Sequence, residues 1–323
     1  MKNKLNIKKH INKYKFFEKA SRTADENGCG LFIVGGYVRD QFLGRKRNEI
    51  DFLVLGNGPD FARKYASSLK VKNVTIFKNF GTAHFKYRGI DFEFVGARKE
   101  SYRKDSRKPD IETGTFIEDI KRRDFTINTM AVSLNKETYG ELIDTFSGLE
   151  DLNNGLIKTP LDPLITFNDD PLRIMRAFRF ASQLKFNVDD AAFKAAVEMA
   201  PRLQIVSQER KSDEFLKILA SPQPSIGLKL MQNSGVMEEI FPEISALAGV
   251  DQRKDYHHKD VFLHTCIVVD NVAEVSDDVW LRFAALVHDI AKPATKKFIE
   301  GIGWTFHGHE EIGARMMKKI FSR

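Results

Sequence analysis

The sequence predicts a strand-bearing N-terminal head, α/β or α+β, followed by a helical remainder. Two patterns carry that prediction. Between residues 30 and 145, short apolar runs recur with turn residues between them: FIVGG, DFLVLG, NVTIF, TAHFKY and DFEFVGA. From about residue 150 the period lengthens, and stretches such as DDPLRIMRAFRFASQL and QERKSDEFLKILA place apolar residues at helical spacing. The chain has 323 residues, 42% of them hydrophobic, which is ample for about two or three packed domains.

Residues up to about 25 read as one basic amphipathic helix, with Leu5, Ile11, Phe16, Phe17 and Ala20 on its apolar side. The segment lacks the long apolar core and small-residue cleavage site of a signal peptide. No run of apolar residues is long enough for a transmembrane helix. The cysteines, Cys29 and Cys266, lie far apart in apolar surroundings and read as buried thiols, which fits a reducing cytoplasm. A net charge of +7 points modestly toward nucleic acid.

The stretch IVGGYVRDQFLGRKRNEID (33–51) is the densest in chemistry. Leu31–Val34 is a buried strand stopped by Gly35 and Gly36, and Val38–Leu43 can begin a helix. Strand, glycines and helix in that order offer free N–H groups to a phosphate. Arg39 adds a bidentate phosphate partner. Glu49 and Asp51 lead into a second strand, Phe52–Leu55, and residues two apart on a strand share a face. Two hard oxygen donors on one face suit magnesium. The competing reading is a surface turn with solvated acids.

ARKESYRKDSRKPDIETG (97–114) is polar, highly charged and nearly free of large apolar residues, so it reads as a mobile loop. SPQPSIG (221–227) separates two helices. The final helical pattern, EEIGARMMKKIFSR, has no Gly or Pro exit signal, which suggests that the natural chain continues; a natural end with a frayed final helix is the alternative.

Five motifs occur in order: GGYVRDQFLG…EID, KRRDFTINTMA, LIDTFSGLEDL, DDPLRIMRAFRF and QERKSDEFLKIL. Together, over about residues 30–220, they resemble the class II tRNA nucleotidyltransferase (CCA-adding enzyme) and bacterial poly(A) polymerase family. Downstream, HHKDVFLHTCIVVDN…LRFAALVHDIAKP…FHGHEEIGA resembles an HD-type phosphohydrolase domain. The resemblance implies an α+β fold: a polymerase β-like mixed-sheet head over 1–148, an all-α neck binding nucleobase and RNA over 149–222, and an HD-type helical body over 223–323. It implies template-independent addition of C and A from CTP and ATP to the tRNA 3′ end, with pyrophosphate released and Mg2+ as cofactor. The implied setting is the cytoplasm, away from membrane, with the oligomeric state open. The family's metal pair is usually Asp-x-Asp; Glu49 departs from it by one methylene, and magnesium's tight geometry makes that matter. Glu93 is either a third carboxylate near the metals or an outward-facing strand residue.

On this reading, Gly35, Gly36 and Arg39 hold the triphosphate while Glu49 and Asp51 hold two metals. Arg123 meets phosphate, and Asp124 and Asn128 suit the ribose; a solvated basic turn is the alternative for Arg122 and Arg123. Asp170 and Arg173, three apart on a helix, offer an acceptor and a fork of donors. That pair can match C and A, whereas U and G place an oxygen acceptor against the carboxylate. The resemblance assigns them this templating role; helix capping by Asp169 or Asp170 beside Pro171 is the alternative. Arg176 and Arg179 continue the stripe toward phosphates. The 97–114 loop resembles the family's flexible loop associated with the switch from C to A; a basic surface carrying Arg98, Arg103 and Arg107 is the alternative.

His264, His288, Asp289, His307 and His309 form the HD set, of which His264, His288, Asp289 and His309 are the candidate ligands for a second divalent metal such as manganese, nickel or iron. A degenerate structural HD domain is the other reading. His257 and His258 read as surface residues. Two alternative functions stand beside the first: a poly(A) polymerase, and an HD phosphohydrolase whose nucleotidyltransferase-like part only binds RNA.

Overall fold

The computed structural model describes residues 7–77, 81–103, 106–250 and 260–322, and over 99–111 it describes the backbone alone. The chain divides into two compact units, Met1–Asn154 with Lys158–Leu161, and Gly155–Ile157 with Asp162–Arg323.

The first unit opens with two helices, α1 (Ile7–Ile11) and α2 (Lys15–Glu26), where the periodicity suggests one. The break comes before α2, where Tyr14 is extended (φ −118°, ψ 105°). Ile11, Phe16, Phe17 and Ala20 are buried as the apolar stripe requires, and Leu5 lies outside the described residues. Then follow β1 (Gly30–Val34), α3 (Gly36–Phe42), β2 (Glu49–Leu55), α4 (Gly58–Ser68), β3 (Thr75–Phe77), β4 (Thr82–Tyr87) and β5 (Ile90–Gly96). β6 (Arg98–Arg103), β7 (Ser106–Thr113), α5 (Phe116–Lys121), β8 (Ala131–Ser133), β9 (Leu142–Ile143) and α6 (Gly148–Asn154) complete the unit.

Among the described residues, seven of these strands form one mixed sheet in the order β3-β4-β5-β2-β1-β8-β9. β2 and β5 run parallel and the other neighbours antiparallel. Strand parity sorts the chemistry. Phe52, Phe92 and Phe94 alternate with Asp51 and Glu93, so the aromatic rings take one face and the carboxylates the other. Phe52 and Phe94 stack at 4.8 Å, Phe85 lies 5.2 Å from Phe94, and Tyr65 of α4 closes the cluster. All five are fully buried. This packing holds the strands that carry the carboxylates.

The segment 97–114 is not a structureless loop. β6 and β7 form their own antiparallel ladder, pairing Arg98 with Thr113 and Lys99 with Glu112, with a register shift between Ser101 and Arg103. Low apolar content argues against a core, but a two-stranded ladder needs only backbone donors and acceptors.

The second unit is helical apart from short strand pairs. β10 (Leu156–Ile157) pairs with β11 (Asn187–Val188), and β12 (Lys297–Ile299) with β13 (Gly303–Thr305). Its helices are α7 (Pro163–Asp169), α8 (Leu172–Leu184), α9 (Asp190–Met199), α10 (Gln208–Leu219), α11 (Pro224–Asn233), α12 (Val236–Ile240), α13 (Pro242–Ser245), α14 (Val261–Val275), α15 (Val279–Val287), α16 (Lys292–Thr295) and α17 (His309–Ile320). Gly227 lets α11 approach closely: a Cβ there would lie 2.6 Å from Ser182 Oγ and 2.7 Å from Ile218 Cγ2. Arg282 is 2% exposed. Its guanidinium donates to Leu219 O (2.8 Å), Ser221 O (2.9 Å) and Ser276 O (2.8 Å), so one buried cation satisfies carbonyls at the C-terminal ends of α10 and α14.

Candidate active site

β1 ends at Val34, and Gly35 turns the chain into α3 with φ +70° and ψ −138°. A side chain there would be strained by the backbone, and its Cβ would press on Arg123 Nη1 at 3.3 Å while touching Asp51 Oδ2 at 3.5 Å. Glycine is therefore the residue that lets the turn approach the acids.

Asp51 faces Val34 across the β1·β2 ladder and Glu93 across the parallel β2·β5 ladder. Glu49 lies two residues earlier on the same face. Glu49, Asp51 and Glu93 each bring a carboxylate oxygen within 4.8 Å of the others. Burial, and then the Glu49 charge, push the Asp51 carboxyl up to about 6; Arg47 and Arg123 partly offset this. Burial and Glu49 also raise Glu93. Three crowded acids are what a divalent cation relieves, and hard oxygen donors fit one. Glu93 thus joins the pair that the sequence singled out.

Basic residues surround the cluster in unequal ways. Arg123 donates to the buried Asp119 (3.0 Å), which also holds Arg122. Asp119 belongs to α5, started by a capping box between Thr115 and Glu118. Arg39 differs from the expected open phosphate partner. It is 5% exposed. Its Nε and Nη2 donate to Asp40 at 2.9 and 3.1 Å, and Nη1 donates to Asn128 Oδ1 at 2.8 Å. A guanidinium buried on a short helix is stable only when its donors are matched. Asn128 in turn donates to Asp124 Oδ1 (3.0 Å), which also accepts from Phe125 N. Arg39, Asn128 and Asp124 therefore form one inward network.

In the second unit, Asp170 stands between α7 and α8. Its Oδ1 accepts from Leu172 N at 3.2 Å, and its Oδ2 meets Arg210 Nη2 at 2.8 Å. The capping geometry is real, and so is a cationic partner, Arg210, that the DDPLRIMRAFRF motif does not contain. Arg210 sits in QERKSDEFLKIL; an arginine one turn before the buried Glu214 was the available signal. Arg173 is buried and donates to Thr166 O at 3.3 Å. Arg179, expected to reach phosphates, lies 2.7 Å from buried Glu214 and over the Phe180 ring. Arg176 lies 4.0 Å from the same carboxylate. The drift of a three-residue step around the helix carries both toward α10.

His264, His288 and Asp289 bring ligand atoms within 4.8 Å of one another. Asp289 is buried; its Oδ2 is 3.1 Å from His288 Nε2 and accepts from Lys292 at 2.7 Å. Burial alone would raise this carboxyl, but the bonds from His288 and Lys292 hold it down at about 2. Mixed nitrogen and oxygen donors fit a transition metal. His309 lies 3.5 Å from Asp289 Oδ1, while His307 is exposed outside the cluster. His257 and His258 lie outside the described residues. Both cysteines are free thiols, Cys266 buried and Cys29 half-buried.

A mixed sheet presenting three acids beside a glycine turn, followed by a helical unit with a His-Asp cluster, defines a metal-dependent nucleotidyltransferase joined to an HD-type domain. The family comparisons agree. Residues 31–158 match the poly A polymerase head domain, 185–247 the probable RNA and SrmB-binding site of polymerase A, and 261–323 the HD domain. The multifunctional CCA protein of Psychromonas ingrahamii is 33% identical over 309 residues, covering 91% of this chain and 70% of that one. The A-adding tRNA nucleotidyltransferase of Aquifex aeolicus is 36% identical over 280 residues, covering 83% of this chain. The match spans only 32% of that longer relative. A crystal structure of a tRNA nucleotidyltransferase complexed with a primer tRNA and an incoming ATP analog superposes with a TM-score of 0.66 at 33% identity, covering 83% of this chain and 75% of that one. The chain belongs to the tRNA nucleotidyltransferase and poly(A) polymerase family. Among the described residues, no helix is long and apolar enough to cross a membrane.

Proposed function

We propose that this protein adds C and A nucleotides to the 3′ end of tRNA, using CTP and ATP and releasing pyrophosphate. The observation that carries the proposal is the convergence of Glu49, Asp51 and Glu93 on one sheet face beside Gly35 and Arg123. Relatives named as CCA-adding and A-adding enzymes support the choice of tRNA.

Glu49, Asp51 and Glu93 would hold Mg2+, which supplies charge stabilisation at the α-phosphate and lowers the pKa of the attacking hydroxyl. Gly35 is proposed to bring the turn close to the triphosphate, and Arg123, held by Asp119, supplies a cation beside it; the Arg47 guanidinium fills the space over Gly36. Arg39 acts from behind: it fixes Asn128, and through it Asp124, the residues proposed for the ribose. Asp170 and Arg173 are proposed to select the base, with Arg210 holding the Asp170 carboxylate in a fixed orientation. In the HD segment, His264, His288 and Asp289 are proposed to hold manganese, nickel or iron, with His309 at the margin. The proposed location is the cytoplasm.

Incubating the protein with tRNA lacking its terminal CCA and each labelled nucleotide tests this directly. Ordered incorporation of C, C and A supports it. Incorporation of A alone onto a CC end would place the protein with its A-adding relative. Long A tracts on unrelated RNA would make it a poly(A) polymerase.

A further inference from the structure

We propose that Arg47 is a positioning residue for Glu49, an adaptation that lets the longer glutamate serve where a shorter acid would suffice. The proposal rests on the reading of Glu49, Asp51 and Glu93 as metal ligands. It concerns one side chain that neither the motifs nor the roles derived above account for.

Arg47 lies two residues before Glu49 and its guanidinium spans two acids. Nη2 donates to Glu49 Oε2, and Nη1 lies 3.4 Å from Asp40 Oδ2. Asp40 is itself anchored by Arg39. The guanidinium also lies against Gly36, where a Cβ would collide with it. Arg47 is therefore held on one side by a fixed acid and on another by the glycine turn, and its Nη2 is directed at Glu49.

Glu49 needs such a partner. Its side chain is 48% exposed, whereas Asp51 is half-buried. Glutamate has one more rotatable bond than aspartate, so an exposed glutamate visits many positions that do not serve an octahedral cation. An arginine that takes one carboxylate oxygen restricts where the other can go. Partners behind a metal ligand fix its orientation in this way.

The test is Mn2+ binding to the full chain, read by the EPR signal of the free ion, without nucleotide or tRNA. Asp51→Ala, titrated alongside, isolates uptake by the His264/His288/Asp289 cluster. Arg47→Ala should weaken head-site binding about tenfold, within the range for loss of a residue behind a metal ligand. In a Glu49→Asp background the same substitution should change binding less than about twofold, because the tethered glutamate is gone. Arg47→Lys should retain most of the affinity, and it carries the test if Arg47→Ala does not fold. Equal weakening in both backgrounds, or tighter binding without Arg47, would overturn the proposal and make Arg47 a bystanding or repelling charge. A wild-type protein whose Mn2+ uptake is unaffected by Asp51→Ala would instead refute the metal-site reading beneath it.

Discussion

Asp51 and Glu93 are register partners on parallel neighbouring strands, and their carboxylates lie on the face opposite a stack of phenylalanines. The site is thus an outcome of strand parity. The same alternation that buries Phe52 and Phe94 turns the acids outward.

That coupling makes the aromatic layer matter to the site. Phe94→Ala should destabilise the first unit by about 3–5 kcal/mol, the usual range for deleting a buried ring. Urea unfolding followed by tryptophan-independent far-UV circular dichroism would measure it. A loss under 1 kcal/mol would mean that the layer is not a cooperative core.

Glu93→Gln keeps shape and hydrogen-bonding capacity but removes one charge. Nucleotidyl transfer should fall at least about tenfold, which is about 1.4 kcal/mol, and excess Mg2+ should recover part of the loss. Single-turnover rates across a magnesium series would decide it. An unchanged rate at every concentration would return Glu93 to the role of a plain strand residue.

Much of this was legible in the sequence, and the limits have physical causes. Glu49 and Asp51 sit on one strand, so their shared face follows from spacing alone. Glu93 could not be resolved that way, because its place depends on which strand pairs with β2 and in what register. Arg39 looked like a phosphate partner because a motif shows residue type but not burial; Asp40 and Asn128 claim its donors. The 97–114 segment reads as a loop because periodicity detects buried faces, and its ladder has no such signal. Arg210 went unnamed because its partner, Asp170, lies 40 residues away in the chain.

Base choice is where the second unit can be tested. Arg173→Ala and Asp170→Ala should each reduce the preference for CTP and ATP over UTP and GTP by about one to two powers of ten, or about 1.4–2.8 kcal/mol. Asp170→Ala should specifically admit UTP. Arg210→Ala should shift selectivity the same way but less, since it removes the support and not the reader. Steady-state kinetics with four separate nucleotides on one tRNA would show this. If Asp170→Ala lost stability and kept selectivity, the residue would be only the cap that its bond to Leu172 N describes.

Shortening the chain between Lys99 and Lys108 removes most of the β6·β7 ladder. C addition should persist and A addition should fall, as sequencing of the RNA ends would reveal. Equal loss of both would make the hairpin a general RNA-binding or structural element.

The most direct test of the whole account is single-turnover transfer by Asp51→Ala, with nucleotide binding measured on the same protein. If the carboxylates hold the metals, transfer of C to tRNA falls at least about a thousandfold, some 4 kcal/mol, while CTP still binds within a few-fold of wild type. Transfer near the wild-type rate would contradict it and remove the carboxylate cluster from the chemistry.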